Sequence, residues 1–256
     1  MSEARIYIAV PLYKRWAIAR ECLPTLTAHM GMWDMLAIYN DSPDDISRSQ
    51  MSCLRGGTWV EFHSGNASIG IEAQRKQHFA DFWNRYRKDG WTHLLLTDPD
   101  AVWDPTWRSE MLRIQAKYDN LPLCSYNTEA HSRLIGNTIE DDPTSEVIIR
   151  RVAPGISYLL TLEHVEIVMK HLDSMTNFDW QIPAWLGSRF AVTRTSLTEH
   201  IGVQGLHHPA DAGYDGGDRA TNPTPWLVKK RAEIVSQLQH EDAENPRSSL
   251  NRPVST

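Results

Sequence analysis

Asp98-Pro99-Asp100 is the strongest chemical signal in the chain, and it follows Leu94-Leu95-Leu96-Thr97 directly. Two carboxylates one residue apart, just beyond a strand, can reach one hard divalent cation, because oxygen ligands suit magnesium or manganese. A plain surface turn explains the same letters, since Asp-Pro is ordinary turn chemistry. Three other groups carry possible chemistry. Tyr39-Asn40-Asp41-Ser42-Pro43-Asp44-Asp45 can hold a nucleoside base or ribose, or can close an Asx-turn. Ser68-Ile69-Gly70-Ile71 with Gln74-Arg75 opens a helix, where amides and a guanidinium suit a diphosphate, a solvated helix face being the alternative. Phe178-Asp179-Trp180 places an acid at a helix start between two aromatic rings. An apolar wall there would raise its basicity and make it a proton acceptor, whereas an N-terminal cap is the simpler role.

The elements that must position these groups follow from hydrophobic pattern. Arg5–Val10 reads as a strand closed by Pro11, Lys14–Met30 as a helix, Leu36–Tyr39 and Trp59–Phe62 as strands, and Glu72–Lys88 as a helix with a charged face. His93–Thr97 is a continuous apolar run of the kind buried on both faces of a parallel sheet. Later strands are expected at Leu121–Tyr126, Val147–Val152 and Gly155–Leu160, with helices at Thr161–Leu172 and Trp226–Gln239 and a tail from Glu241. The class is therefore α/β, with a Rossmann-like, mostly parallel central sheet flanked by helices. Such sheets bind ligands beyond the carboxyl ends of their strands, where the Asp98–Asp100 turn and the Asn40–Ser42 cluster both fall.

Composition narrows the function. Of the 256 residues, 41% are hydrophobic and 23% charged, an ordinary globular balance. Lys plus Arg total 26 against 32 Asp plus Glu, a net charge of −6 that counts against a general nucleic-acid binder. No apolar run reaches the roughly 18 residues of a membrane helix, and the N-terminus has no signal-peptide layout, so a soluble, cytoplasmic protein with no membrane partner is expected. Cys22, Cys53 and Cys124 lack metal or disulfide spacing and read as buried thiols. Ten Trp residues fit either core packing or pockets for flat ligands, and Trp103, Trp107, Trp180 and Trp185 adjoin the candidate groups.

In order and spacing these motifs resemble the GT-A-fold, nucleotide-sugar-dependent glycosyltransferases, family-2-like. The resemblance spans roughly residues 5–205. It includes Pro154-Gly155-Ile156-Ser157-Tyr158-Leu159-Leu160, similar to the strand bordering the acceptor pocket, and Ser196-Leu197-Thr198-Glu199-His200-Ile201-Gly202, similar to the segment that supplies a late histidine. It implies a GT-A fold with a nucleotide-sugar-binding half at 1–105, an acceptor-binding and catalytic half at 106–220, and a C-terminal helix and tail at 221–256. By the same resemblance Pro11, Tyr13 and Asp41 would contact the nucleoside and Arg75 the diphosphate or sugar. Asp98 would hold ribose or sugar hydroxyls or join the metal, while Asp100 and His200 would bind the metal, Mn or Mg. Asp179 would be the base of an inverting transfer from a UDP-sugar, and Tyr158, Trp180 and Trp185 would face the acceptor. Asp104-Pro105, which follows so closely, leaves open which carboxylate ligates.

Other classes compete. A nucleotidyltransferase would show an early Gly-rich loop, and Val10–Lys14 contains no glycine. A non-catalytic nucleotide- or carbohydrate-binding module would need neither Asp179 nor His200, and a zinc hydrolase would show HExxH-type spacing. His207, His208 and Asp211 suggest a second metal site, but the Gly202–Gly217 stretch reads better as a loop closing over a donor. The acceptor is a glycan, a small molecule, a protein or, as an alternative, a 5-hydroxymethylated base of phage DNA in a bacterial or phage-infected cell. The last would need the basic runs Arg85, Arg87, Lys88 and Lys229, Lys230, Arg231 to overcome the overall charge.

Overall fold

Strand β1 (Ile6–Leu12) is buried at all seven positions, and its side chains divide between two cores. Ile6, Ile8 and Val10 enter one, Tyr7 and Ala9 the other, as the two-residue period of a strand covered on both faces requires. The computed structural model describes residues 3–13, 16–41, 54, 59–65, 67–201 and 219–244. Along the chain β1 is followed by α1 (Trp16–Thr27), β2 (Met35–Asn40), β3 (Trp59–Ser64), α2 (Gly70–Asp81), β4 (His93–Thr97), β5 (Ala101–Trp103) and α3 (Trp107–Lys117). The second half runs β6 (Leu123–Cys124), α4 (Glu129–Arg133), β7 (Thr138–Glu140), β8 (Val147–Arg150), β9 (Ser157–Thr161), α5 (Leu162–Met169), α6 (Phe178–Trp185), β10 (Phe190–Thr193), β11 (Thr198–His200) and α7 (Pro225–Glu244).

Nine of these strands form one sheet in the order β3-β2-β1-β4-β9-β6-β10-β8-β7. The first four are mutually parallel. Antiparallel pairs enter with β9, which runs against both β4 and β6 and so joins the two halves in one sheet. The expected α/β architecture, a large central sheet with helices against it, is the one observed.

Several boundaries differ from expectation for physical reasons. Pro11 does not close β1; the parallel register continues through Pro11↔Tyr39 and Leu12↔Asn40. Pairing with β4 stops at Ala9↔Leu96, so that side of β1 has no ladder to lose at Pro11. The single helix expected to Lys88 breaks after Asp81 into a π-helical turn (Phe82–Tyr86) and a 3-10 turn ending at Gly90, φ +85°. The break lets Phe82 and Tyr86 both reach Tyr7, with ring centroids 5.9 and 4.4 Å away. The strands expected to Tyr126 and Val152 end early, at Cys124 and Arg150, and α7 continues through residues expected to begin a tail.

A second, two-stranded sheet pairs β11 with β5, setting His200 opposite Ala101. Helix α7 covers it, packing Leu227, Ile234 and Leu238 with Ile18, Cys22, Val102 and Ile201. No helix among the described residues is long and apolar enough to cross a membrane.

Candidate active site

Helix α2, the end of β4 and the start of α6 converge on one charged group, Arg75. Its side chain is completely buried, and Nη2 donates to Asp98 Oδ1 at 2.7 Å. The guanidinium lies over the Phe178 ring, 4.9 Å from its centroid. His78, one helical turn on, is held neutral because burial, and then the Arg75 charge, drives its pKa well below the usual value. The cation is thus directed at the strand end.

Asp179 stands on the other side of this group. It is not a helix cap: Asn177 occupies that position, and no side chain caps α6. Its Oδ1 is buried with no hydrogen-bond partner. Burial, and then the negative charge of Asp98, raises its pKa to about 6, with Arg75 opposing and Glu72 adding to the rise. A carboxyl of that kind is tuned to accept a proton near neutral pH.

Asp100 is fully buried, with Oδ2 3.0 Å from His200 Nε2. The β11–β5 pairing brings the two together across a hundred residues, and Ile201 N donates to Asp100 O at 3.1 Å. Arg231 on α7 caps the segment, donating to the carbonyls of His200 and Ile201. Asp104 has different work: Oδ1 accepts from Thr106 N and Oγ1, and Oδ2 from Thr224 Oγ1. Of the three neighbouring acids, Asp98 thus pairs with Arg75 and Asp100 with His200, while Asp104 is bound into its own turn and the α7 entrance. A carboxylate beside an imidazole is a donor set that divalent cations accept. Among the described residues no group of three or more His, Cys, Asp or Glu converges as a complete metal cage would.

A cavity of about 430 Å³ opens beside the ends of β2 and β3, lined by Tyr39, Asn40, Asp41, His63, Gln74 and Gln77 among others. Tyr39 and His63 stack in parallel along its wall, centroids 4.3 Å apart. Asp41 fastens the entrance of α2: Oδ1 accepts from Ile69 N at 2.6 Å, Oδ2 from Ser68 Oγ and Gly70 N at 2.8 Å each. A second cavity of about 460 Å³, lined by Tyr118, Asp119, Glu140, Asp142 and Arg189 among others, includes none of the expected site residues.

The remaining expected residues separate by burial. Pro11 is buried in β1, and Tyr13 is half-buried just after it. Tyr158, expected against the acceptor, is completely buried; its hydroxyl donates to Ala153 O and its ring packs on Phe190, so it is core. Trp185 stacks on His171, and Trp103 and Trp107 are buried against each other. Only Trp180 of the three expected acceptor residues is largely exposed, at 55%. The cluster Ser42–Asp45, Cys53, and the loop with His207, His208 and Asp211 lie outside the described residues. The basic runs are largely engaged: Arg85 pairs with Glu61, Arg87 covers Trp83, Lys230 meets Glu233 and Arg231 is buried.

Sequence reasoning missed Glu72, whose carboxyl is raised by burial and accepts from the Phe178 backbone. Its spacing from Arg75, one turn along α2, was the available sign. It also missed Phe178 as the surface under Arg75, which no local pattern announces.

No family model matches this chain, and no curated protein matches it by sequence. Solved structures do match. A 1–349 fragment of Staphylococcus aureus TarS superposes with a TM-score of 0.55 at 10% identity over 76% of this chain. The same fragment in complex with UDP-GlcNAc gives 0.58 at 10% identity over 98%, and in complex with UDP 0.53 at 9% over 91%. The chain spans 59%, 76% and 64% of the length of those three structures. At such identity the likeness shows the fold, and that fold is GT-A.

Proposed function

We propose that this chain transfers a sugar from a nucleotide-diphosphate sugar, a UDP-sugar in the first instance, to a hydroxyl acceptor with inversion at the anomeric carbon. The observation that carries the reading is Asp179: a buried carboxyl with an unbonded oxygen, raised to about 6, beside the Arg75–Asp98 pair at the strand ends of a GT-A sheet. The UDP-GlcNAc and UDP complexes of TarS support the choice of donor.

In this reading the cavity along β2 and β3 takes the nucleoside, Asp41 on its lining also holds the α2 entrance, and Pro11, in register with the lining residue Tyr39, and Tyr13 two residues on are further candidate contacts. Arg75 lies where a diphosphate or sugar would come to the strand end, and Asp98, 30% exposed, anchors Arg75 there and stands where ribose or sugar hydroxyls would come. Asp100 and His200, with Asp98 nearby in sequence, would hold Mn or Mg, which offsets negative charge on a departing diphosphate. Among the described residues the protein supplies only part of a coordination shell, as is usual where substrate phosphates supply the rest. Asp179 takes the proton from the acceptor hydroxyl as that oxygen attacks the anomeric carbon from the face opposite the leaving group. Exposed Trp180, next in sequence, offers a flat surface for the acceptor. The engaged basic runs favour a glycan, small molecule or protein hydroxyl over DNA.

The test is turnover with a panel of nucleotide sugars, manganese and simple hydroxyl acceptors, read as release of nucleoside diphosphate. A UDP-sugar should be consumed, chelation should stop it, and the product's anomeric proton should report inversion. Full turnover after exhaustive chelation would remove the metal, and a retained configuration would remove the single displacement.

A further inference from the structure

Gly155 lies in the turn between β8 and β9, and it is not among the residues with positive φ, so its backbone does not require glycine. Space requires it. A Cβ built there would overlap Asp179 Oδ1 and stand 2.8 Å from Phe178 Cε2 and 3.3 Å from Asp179 Cγ. We infer that Gly155 is the positioning residue for Asp179, the carboxylate occupying the room that a side chain at 155 would fill. This rests on the reading of Asp179 as base.

Three observations support it. First, Asp179 Oδ1 has no hydrogen bond to fix it, so the surfaces packed against it decide where it stands. The Gly155 backbone is one of those surfaces. Second, the backbone of the turn is anchored at each of the three residues leading to the glycine. Asn137 exchanges hydrogen bonds with the backbone of Val152, Ala153 O accepts from Tyr158, and Pro154 O accepts from Cys124 Sγ at 3.4 Å. Third, the atoms a methyl would meet belong to the ends of two side chains, not to backbone, so they yield before the turn does. A methyl at 155 therefore moves the carboxylate and disturbs the Phe178 ring on which Arg75 rests. Displacement of a reacting group by about 1 Å costs on the order of a hundredfold in rate.

The experiment is a cycle of Gly155→Ala and Asp179→Ala, read by kinetics and by melting temperature. Gly155→Ala should lower kcat about a hundredfold, a far larger change than any rise in the KM for donor, because the methyl meets the reacting oxygen directly and reaches Arg75 only through the Phe178 ring. A merely structural role would change the two alike or leave both unchanged. The melting-temperature loss caused by Gly155→Ala should shrink when Asp179 is already Ala, because the oxygen that the methyl meets is gone. An equal loss in both backgrounds, or unchanged kcat, would overturn the inference. Should Gly155→Ala fail to fold alone, the double variant must fold, and its failure would be equally decisive. Asp179→Asn separates the two readings: if it retained turnover, the base assignment would fall while the melting-temperature cycle still ruled on the contact.

Discussion

The entrances of α2 and α6 each involve an aspartate, and the two are used in opposite ways. Asp41 accepts from one hydroxyl and two backbone amides, so both of its oxygens are occupied in holding the α2 entrance. Asp179 sits in the first turn of α6 with a buried oxygen that accepts from nothing. A saturated carboxylate is bound into the fold, whereas an unsatisfied one is costly to keep and remains available for a proton. The difference lies in the neighbours, not in the residue type.

Asp179→Asn is the sharpest way to break this comparison. It should lower kcat about a thousandfold or more while leaving donor affinity nearly intact, because general-base catalysis is worth about two to four orders of magnitude and acts only as the acceptor attacks. Calorimetric titration with donor alone, set beside turnover, checks both halves. Equal loss of donor binding would make Asp179 structural after all.

Asp41→Ala should act on stability instead. Three donors lose a charged acceptor, at a cost of about 4 kcal/mol in total. Thermal melting reads it, and a change below about 1 kcal/mol would mean that the α2 entrance does not depend on Asp41.

The pH response should also have opposite sign from that of an ordinary native carboxylate. Because the folded pKa of Asp179, about 6, lies above its unfolded value of 3.8, the native state keeps this proton longer than the unfolded chain does. Stability from this group is therefore full below pH 3.8 and is lost as pH rises through 6, by about 3 kcal/mol at most. Asp179→Asn should accordingly melt higher than the parent at pH 7 to 8, and the gain should vanish near pH 4. The parent's kcat should fall on the acid side of about pH 6.

The smallest effect is expected from salt. With Arg85, Arg87, Lys230 and Arg231 already engaged, kcat/KM should change by less than about twofold between roughly 50 and 200 mM salt for a neutral acceptor. A steep fall would return modified DNA to the front of the acceptor candidates.

What the sequence shows and what it hides divide along physical lines. β4 is legible because three leucines in a row have few alternatives to a strand covered on both faces. β5 and β11, three residues each, carry no periodicity of their own and exist because they pair with each other; only that pairing brings His200 to Asp100. Arg75 is visible as a charge near a helix start, but its burial against Phe178 joins segments a hundred residues apart. Trp103 sits close in sequence to Asp100 and Asp104 yet points into a core, and Tyr158 does the same from β9, since adjacent strand positions face opposite sides.

Arg231 gives the chain a timetable. Its guanidinium holds the carbonyls of His200 and Ile201 from α7, and the apolar face of that helix covers β5 and β11. During synthesis, β1 to β4 can pair while later segments are still being made, but the cover that α7 gives the His200 side of the site arrives only when that helix leaves the ribosome. A nascent chain would thus assemble its nucleoside cavity first and its Asp100–His200 corner last.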